Sequence, residues 1–400
     1  MTPHDTQTAA FRAEIASIGD PLRPTSVEDV QAVVRDAIER RERIRIVGRG
    51  TWLAAGRPVR EARAVSLDQL TGIVSYTPGD LTLTARAGTP LAEIVAATAE
   101  HGQWLALVPW GGDAGSLGAT AATATAGPTS GALGTPRDTV IGLEAVTGTG
   151  EIVRGGGRVV KNVAGFDLTR LMIGAWGTLG ILTEISVRLR ALPEVDTTVA
   201  LPVPNATAGV ADLLTRLRAA PVTPLALELL NTRLAAHLGL DDRNVLLARL
   251  AGNAEAVAAQ RATHEELGAH DVASAVWDAL RVIEPRDCTT LRLSSAVSRF
   301  AETWIAAERL AASAEGFAHA SMLRSIARVI LPHNDGQLAE PALTALRAAP
   351  TTPRIFERLP STLWSELAPA AVTDRLSRGI RAAFDPSHTF NPGILGEAVQ

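Results

Sequence analysis

One cysteine and one lysine among 400 residues set the first limits on this chain. The single cysteine, Cys288, excludes an intrachain disulfide and leaves no cysteine cluster for a metal. Apolar runs are short. The longest candidate, ATAATATAG, is broken by threonines and ends in Gly-Pro, so no membrane span is expected. The opening MTPHDTQTAAFRAEI has no basic segment followed by an apolar one, which argues against a secretory leader and for a cytoplasmic location. A net charge of −4 gives no electrostatic case for nucleic acid. Lysine is nearly absent: Lys161 stands alone beside 37 arginines, inside a glycine-rich loop. Its retention there marks it as a candidate anion contact, with chance as the alternative.

What is abundant is glycine, and it is clustered. Seventeen of the 34 glycines fall between Gly111 and Gly180, several times the ordinary density of about 7%. Glycine weakens helix and strand interiors, so such clustering marks left-handed backbone or close approach of main chain to something bulky. Consecutive turns of that kind align N–H groups into concave anion sites, whose natural occupant is a phosphorylated cofactor.

The length suits two domains or one large one. Ser26 is placed to cap a helix carrying Val27, Val30, Val33, Val34 and Ile38 at helical spacing. A strand follows at Arg43–Val47 and runs into Gly48-Arg49-Gly50-Thr51. Further elements are expected as a strand over 81–87, a helix over 91–101, a hairpin turning at Gly148-Thr149-Gly150, and a strand at ILTEISVRL. After about Pro193 glycine thins and alanine-rich helical stretches dominate at 206–220, 253–268 and 298–315. Strand candidates LALELL, NVLLARL and TTLRLSS lie between them. Pro202 and Pro204 suit an interdomain linker. The reading is an α+β protein with a cofactor domain over 1–192, a smaller α+β cap over 193–380, and a segment 381–400 returning to the first domain.

Two loops carry the binding chemistry. Gly48-Arg49-Gly50-Thr51-Trp52 follows a strand, so its amides can wrap a pyrophosphate; a tight strand-exit turn explains it equally well. It is not a dinucleotide fingerprint, because Leu53 stands where GxGxxG needs glycine. Pro109-Trp110-Gly111-Gly112-Asp113-Ala114-Gly115-Ser116-Leu117-Gly118 leads into the small residues Ala119–Ala126 and Gly127-Pro128. Such a tract lets backbone lie against a large planar ligand, or else forms a tightly packed helix.

The succession GRGT, GSLGATAATATAGP, TPRDTVIG, VVKNVAGFDLTRLMIGAWGTLGILTE and FDPSHTFNPG resembles the FAD-binding flavoproteins of the vanillyl-alcohol oxidase and p-cresol methylhydroxylase (PCMH) type. Within them it is similar to the branch with C-terminal FAD-linked oxidases, and there to the FAD-binding E subunits of bacterial glycolate oxidases. The resemblance covers residues 21–192 and 384–393. It implies a two-subdomain FAD-binding fold, with pyrophosphate held by amides of Val47, Gly48, Arg49, Gly50, Thr51 and Trp52 and around Pro109, Gly112, Gly115, Ser116, Leu117 and Gly118. Thr123, Gly127, Gly134, Asp138 and Val140 would line the cofactor's path. Gly177, Gly180, Ile181 and Thr183 would lie near its rings or ribose, Asn391 near the isoalloxazine, and Lys161 near the flavin or pyrophosphate unless it is simply solvated. The GRGT loop holds no histidine, where some relatives attach the flavin covalently, so the FAD is expected to be noncovalent.

The departures matter as well. Relatives carry GSEGTLG where this chain reads Gly174-Ala175-Trp176-Gly177-Thr178-Leu179-Gly180, so Trp176 replaces an acidic residue. Their HxGDGNxH metal motif has no counterpart: His333-Asn334-Asp335-Gly336 lacks a second histidine and reads as a turn. His264 and His270 fall on different helix faces, read as surface positions, and no metal site is expected. The resemblance implies oxidation of glycolate or a similar 2-hydroxy acid. That chemistry needs a base, a cation for the carboxylate and the flavin as hydride acceptor. Arg292, Arg324 and Arg328 are candidates for the cation, and His388 and His333 for the base, but none is assigned as catalytic. The alternative is an electron-relay or scaffold subunit working beside a homologous flavoprotein and an iron–sulfur protein, peripheral at the inner membrane through those partners.

Overall fold

The structure, a computed structural model, describes residues 19–59, 61–157, 167–204, 206–220, 222–348 and 352–397. The chain divides into two compact units. One takes the chain up to Gly127, Gly134–Leu192 and everything from Ala370 on; the other takes Pro128–Leu133 and Pro193–Pro369.

The first unit opens on the helix Val27–Arg40. Ser26 Oγ accepts from Asp29 N at 3.0 Å and the Asp29 carboxylate accepts from Ser26 N at 3.1 Å, a reciprocal capping box. Val30, Val34 and Ala37 bury the inner face, as the spacing required. Strand β1 (Arg43–Val47) pairs in parallel with β2 (Ala62–Ser66). The C-terminal segment lies along the free side of β1, with Ile44 N donating to Thr389 O at 2.7 Å and Asn391 N donating to Ile44 O at 2.8 Å.

A five-stranded antiparallel sheet forms the rest of the unit. It joins β3 (Ile73–Thr77), β4 (Thr82–Arg86), β6 (Val140–Val146), β7 (Ile152–Gly156) and β8 (Ile181–Arg188) in the order β3-β4-β8-β6-β7. A short pair, β5 (Gln103–Trp104) with β9 (Arg190–Ala191), stands apart. The β6–β7 hairpin turns through Gly148-Thr149-Gly150, where Gly150 takes φ +76°. The helices Leu91–Ala99 and Leu117–Thr123 bury Leu91, Ile94 and Leu117 in the same core as Leu83, Ile185 and Phe390.

The second unit is an antiparallel sheet of eight strands with helices packed on it. Its strands are β10 (Val195–Pro202), β11 (Ala226–Leu230), β12 (Val245–Gly252), β13 (His270–Asp271), β14 (Cys288–Ser294), β15 (Phe317–Ser321), β16 (Ile326–Pro332) and β17 (Arg354–Arg358). They run in the order β13-β10-β12-β11-β15-β16-β14-β17. Val210 and Leu213 of helix Thr207–Arg218, Val257 of Ala254–Glu265 and Trp304 of Phe300–Ala312 share one core with Leu229, Leu246 and Val329.

Two expectations need correction. Pro202 is the last residue of β10, so Pro202 and Pro204 do not form the junction between units, which falls at Leu192–Pro193. His264 is buried rather than on the surface: its Nδ1 lies 2.8 Å from Gln260 O, and burial pushes the imidazole below its ordinary pKa. His270 is exposed, as expected.

Candidate cofactor site

The first unit contains a cleft with about 820 Å³ of empty space, its open mouth included. Four segments build it. The first is the exit of β1. A Cβ on Gly48 would come within 2.6 Å of Ser116 Oγ and 3.0 Å of Ala119 Cβ, so only glycine lets this loop approach the second segment, helix Leu117–Thr123. Ser116 caps that helix, its Oγ accepting from Ala119 N at 3.3 Å. Arg49 ties the two loops together, donating from Nε to Ala114 O at 3.0 Å.

The third segment is a turn of left-handed backbone, with φ +81° at Gly174, +54° at Trp176 and +68° at Gly177. Trp176 N donates to Ala122 O at 2.8 Å, which locks the turn to the helix. The fourth is Asn391, whose side chain is a clamp: Oδ1 accepts from Ile46 N at 2.8 Å and Nδ2 donates to Trp176 O at 2.7 Å. Its own φ of +41° is a conformation that asparagine tolerates better than most residues.

The walls are apolar and the donors are main-chain. Among the described residues, the amides of Gly48, Arg49, Gly50 and Thr51 donate to no protein acceptor. Gly50 takes φ +85° among them, a left-handed residue of the kind an anion nest needs. A chain of unsatisfied N–H groups at one side of a long apolar cleft fits a ligand with a central pyrophosphate and flat ring systems.

Of the residues singled out from sequence, the cleft wall gathers Val47, Gly48, Gly50, Thr51, Trp52, Ser116, Gly118, Thr123, Gly177, Gly180 and Asn391. Others lie off it. Leu117, Ile181 and Thr183 are fully buried, and Val140 nearly so. Thr183 Oγ1 donates to Glu144 Oε1 at 2.9 Å inside the sheet. Arg49, Pro109, Gly112 and Gly115 belong to the adjoining loops rather than the wall. Gly127 is needed for packing, since a Cβ there would sit 2.0 Å from Val108 O. Asp138 accepts from Thr135 N at 2.8 Å as a helix cap, and Gly134 packs against it. Lys161 lies outside the described residues.

The wall also holds Ala119 and Ala122 from the small-residue tract, Trp176, noted in sequence only as a departure, and residues that sequence reasoning passed over: Arg45, Ile46, Leu53, Ala55, Leu67, Leu182 and Ile394. For the two alanines a signal existed. Ala119, Ala122 and Thr123 stand at helical spacing on one face.

The candidates in the second unit are committed to structural partners. Arg328 is buried between Glu284, at 2.5 Å, and Glu357. Arg292 Nε lies 2.8 Å from Glu357 Oε1. Arg324 Nη1 donates to Ser130 Oγ at 3.2 Å. His333 Nε2 lies 2.9 Å from Thr289 Oγ1, and burial lowers its pKa. The following Asn-Asp-Gly is the expected turn, with φ +50° at Asp335 and +74° at Gly336. In the first unit, His388 is exposed in the C-terminal loop. Among the described residues no group of three His, Cys, Asp or Glu side chains could hold a metal ion. No helix among them is long and apolar enough to cross a membrane.

A glycine-lined cleft with main-chain donors between the exit of β1 and a capped helix has the chemistry to take a nucleotide cofactor. Residues 22–156 match the FAD binding domain. It is 36% identical over 251 residues to the glycolate oxidase subunit GlcE of Escherichia coli, covering 62% of this chain and 66% of that protein. It is also 36% identical over 183 residues to a D-2-hydroxyglutarate dehydrogenase of Xanthomonas citri pv. viticola, covering 46% and 39%. The matches thus span just under two thirds of the first relative's length and about two fifths of the second's. The fold is similar to that of p-cresol methylhydroxylase with substrate bound, at a TM-score of 0.75 and 14% identity, covering 99% of this chain and 97% of that one. The cofactor is FAD, and the donor set and shape of the cleft fit it.

Proposed function

We propose that this chain binds FAD noncovalently in the cleft and takes part in oxidising glycolate or a similar 2-hydroxy acid. The supporting observation is the convergence of both glycine loops, Gly177 and Asn391 on one cleft, in a chain similar to a glycolate oxidase subunit. In this reading the amides of Gly48 to Thr51, with Ser116, hold the pyrophosphate. Gly118 and Thr123 flank the cofactor's path, while Gly177, Gly180 and Asn391 lie toward a ring. The first unit, which differs from 1–192 by the loss of Pro128–Leu133 and takes the chain back at Ala370, serves as the FAD domain, and the second unit serves as cap. FAD supplies a hydride acceptor. The chain's residues hold it, orient it and keep water from it.

A second reading, an electron-relay or scaffold subunit, draws support from the second unit's arginines. Arg328 and Arg292 are neutralised by Glu284 and Glu357, which leaves them poor clamps for a substrate carboxylate. In that reading substrate is oxidised on a homologous flavoprotein, an iron–sulfur protein completes the complex, and the assembly is cytoplasmic or peripheral at the inner membrane.

An anaerobic visible spectrum of the purified chain tests the pair. Prompt bleaching of the flavin by glycolate or D-lactate supports an oxidoreductase in its own right. A flavin that stays oxidised until a copurifying flavoprotein is added supports the relay. A purified chain with no flavin, and none taken up on adding FAD, overturns both.

A further inference from the structure

Trp176 lines the cleft with its backbone at φ +54°, a genuine outlier for a bulky side chain. Both sides of its peptide are tied down, through Ala122 O and the Asn391 amide. The indole is gripped along one edge: a Cβ on Gly56 would lie 2.9 Å from its Cζ3 and 3.3 Å from its Cε3. Core packing does not account for this arrangement. Phe390 and Ile44, which fill the unit's interior, are fully buried, whereas Trp176 is only half-buried. Strain held in a partly exposed aromatic on a cleft wall is a feature of ligand clamps. Trp52, in the facing glycine loop, is the other tryptophan on the wall, and the chain's one tyrosine, Tyr76, is not part of it.

We propose that Trp176 is a ring-binding residue for FAD, its indole presenting a stacking face to one of the cofactor's two aromatic systems, isoalloxazine or adenine. This rests on the reading of the cleft as the FAD site. Stacking of a nucleotide base on an aromatic residue is a sequence-tolerant contact that alanine substitution weakens roughly 5- to 160-fold.

The test uses the full chain stripped of FAD and titrated with FAD, ADP and riboflavin. Trp176→Ala should weaken FAD binding by that factor, and Trp176→Phe, which keeps a ring, by about threefold at most. If the isoalloxazine is the partner, Trp176→Phe raises bound-flavin fluorescence, because an electron-rich indole in contact quenches it, and Trp176→Ala weakens riboflavin. If adenine is the partner, Trp176→Ala weakens ADP and leaves riboflavin unchanged. Trp176→Gly relieves the left-handed backbone and separates ring from main chain. Wild-type FAD affinity in that variant would overturn the proposal, as would wild-type binding of all three probes by Trp176→Ala. Ala122→Leu, which puts bulk into the cleft, checks the underlying reading. Full FAD retention there overturns the cleft as the site, whereas loss there with no effect at Trp176 overturns the stacking role alone. Thermal melts of the stripped variants separate misfolding from lost binding.

Discussion

A single residue, Asn391, ties the C-terminal loop to two other parts of the cofactor unit: to β1 through Ile46 N and, by its own backbone, Ile44 O, and to the left-handed turn through Trp176 O. Asn391→Ala leaves a half-buried donor and a half-buried acceptor without partners, at up to about 1–3 kcal/mol for each. Asn391→Asp keeps the acceptor for Ile46 N but cannot donate to Trp176 O. We expect the Ala variant to melt lower than the Asp variant and both lower than wild type, with FAD affinity falling in the same order. Equal melting of Asp and wild type would show that the Trp176 contact contributes nothing. Gly118 teaches a different lesson. A Cβ there would meet Ala87 Cβ and Ala87 O at 2.7 Å, so the glycine serves helix-to-strand contact as well as the cleft. Gly118→Leu should therefore destabilise the stripped protein, and a drop in its melting temperature without FAD checks that.

The strands of the second unit carry a row of ionisable groups across the sheet, and their protonation follows from burial. His319 on β15 and Glu228 on β11 are 2% and 1% exposed, with Nδ1 3.1 Å from Oε2. Burial and the Arg328 charge push His319 down to about 3, and burial pushes Glu228 well above the usual carboxylate range against Arg324 and Arg328. Burial thus disfavours the charged form of both partners of this contact. The signs are opposite. Stability contributed by neutral His319 is present above the unfolded pKa of about 6.5 and is lost as pH falls toward 3. Glu228 contributes at low pH and its contribution is lost as pH rises above about 4.5, toward its raised folded pKa. Glu228→Gln should therefore be more stable than wild type near pH 8, the gain vanishing toward pH 4. Urea melts across that range check this, and a gain that grows with acid would refute it. Arg328→Met removes the buried cation between Glu284 and Glu357, leaving them Arg358 at 3.7 Å and Arg292 at 2.8 Å, and should cost at most about 3–5 kcal/mol in the same melts.

The sheet was legible only in part. LALELL, NVLLARL and TTLRLSS appear as β11, β12 and β14 because runs of branched and apolar residues have no other cheap burial. The capping residues around Ser26 and the Gly148–Gly150 turn are local chemistry, readable without the fold. The ion row was not, since Glu228, His319 and Arg328 meet only through strand pairing between distant segments. The cleft divides the same way. Its glycine loops announce themselves, while Arg45, Leu67, Leu182 and Ile394 reach the wall by tertiary placement alone.

At the scale of the whole chain, the two units have separate cores, one around Val34, Leu83 and Phe390 and one around Leu229, Leu246 and Trp304. A ligand that binds one folded unit stabilises that unit by mass action, about 2.7 kcal/mol at a hundred times its dissociation constant. With FAD in the cleft, hydrogen exchange should slow in β1 and β8 and stay unchanged in β14–β16. Equal slowing in both would mean that the units open together. The same measurement distinguishes the two functional readings when glycolate is added to the FAD-loaded chain. An oxidoreductase whose cap binds the substrate gains protection along β14–β16. A relay subunit gains none there until its flavoprotein partner is present, because its second unit neutralises its own arginines and offers the carboxylate little to hold.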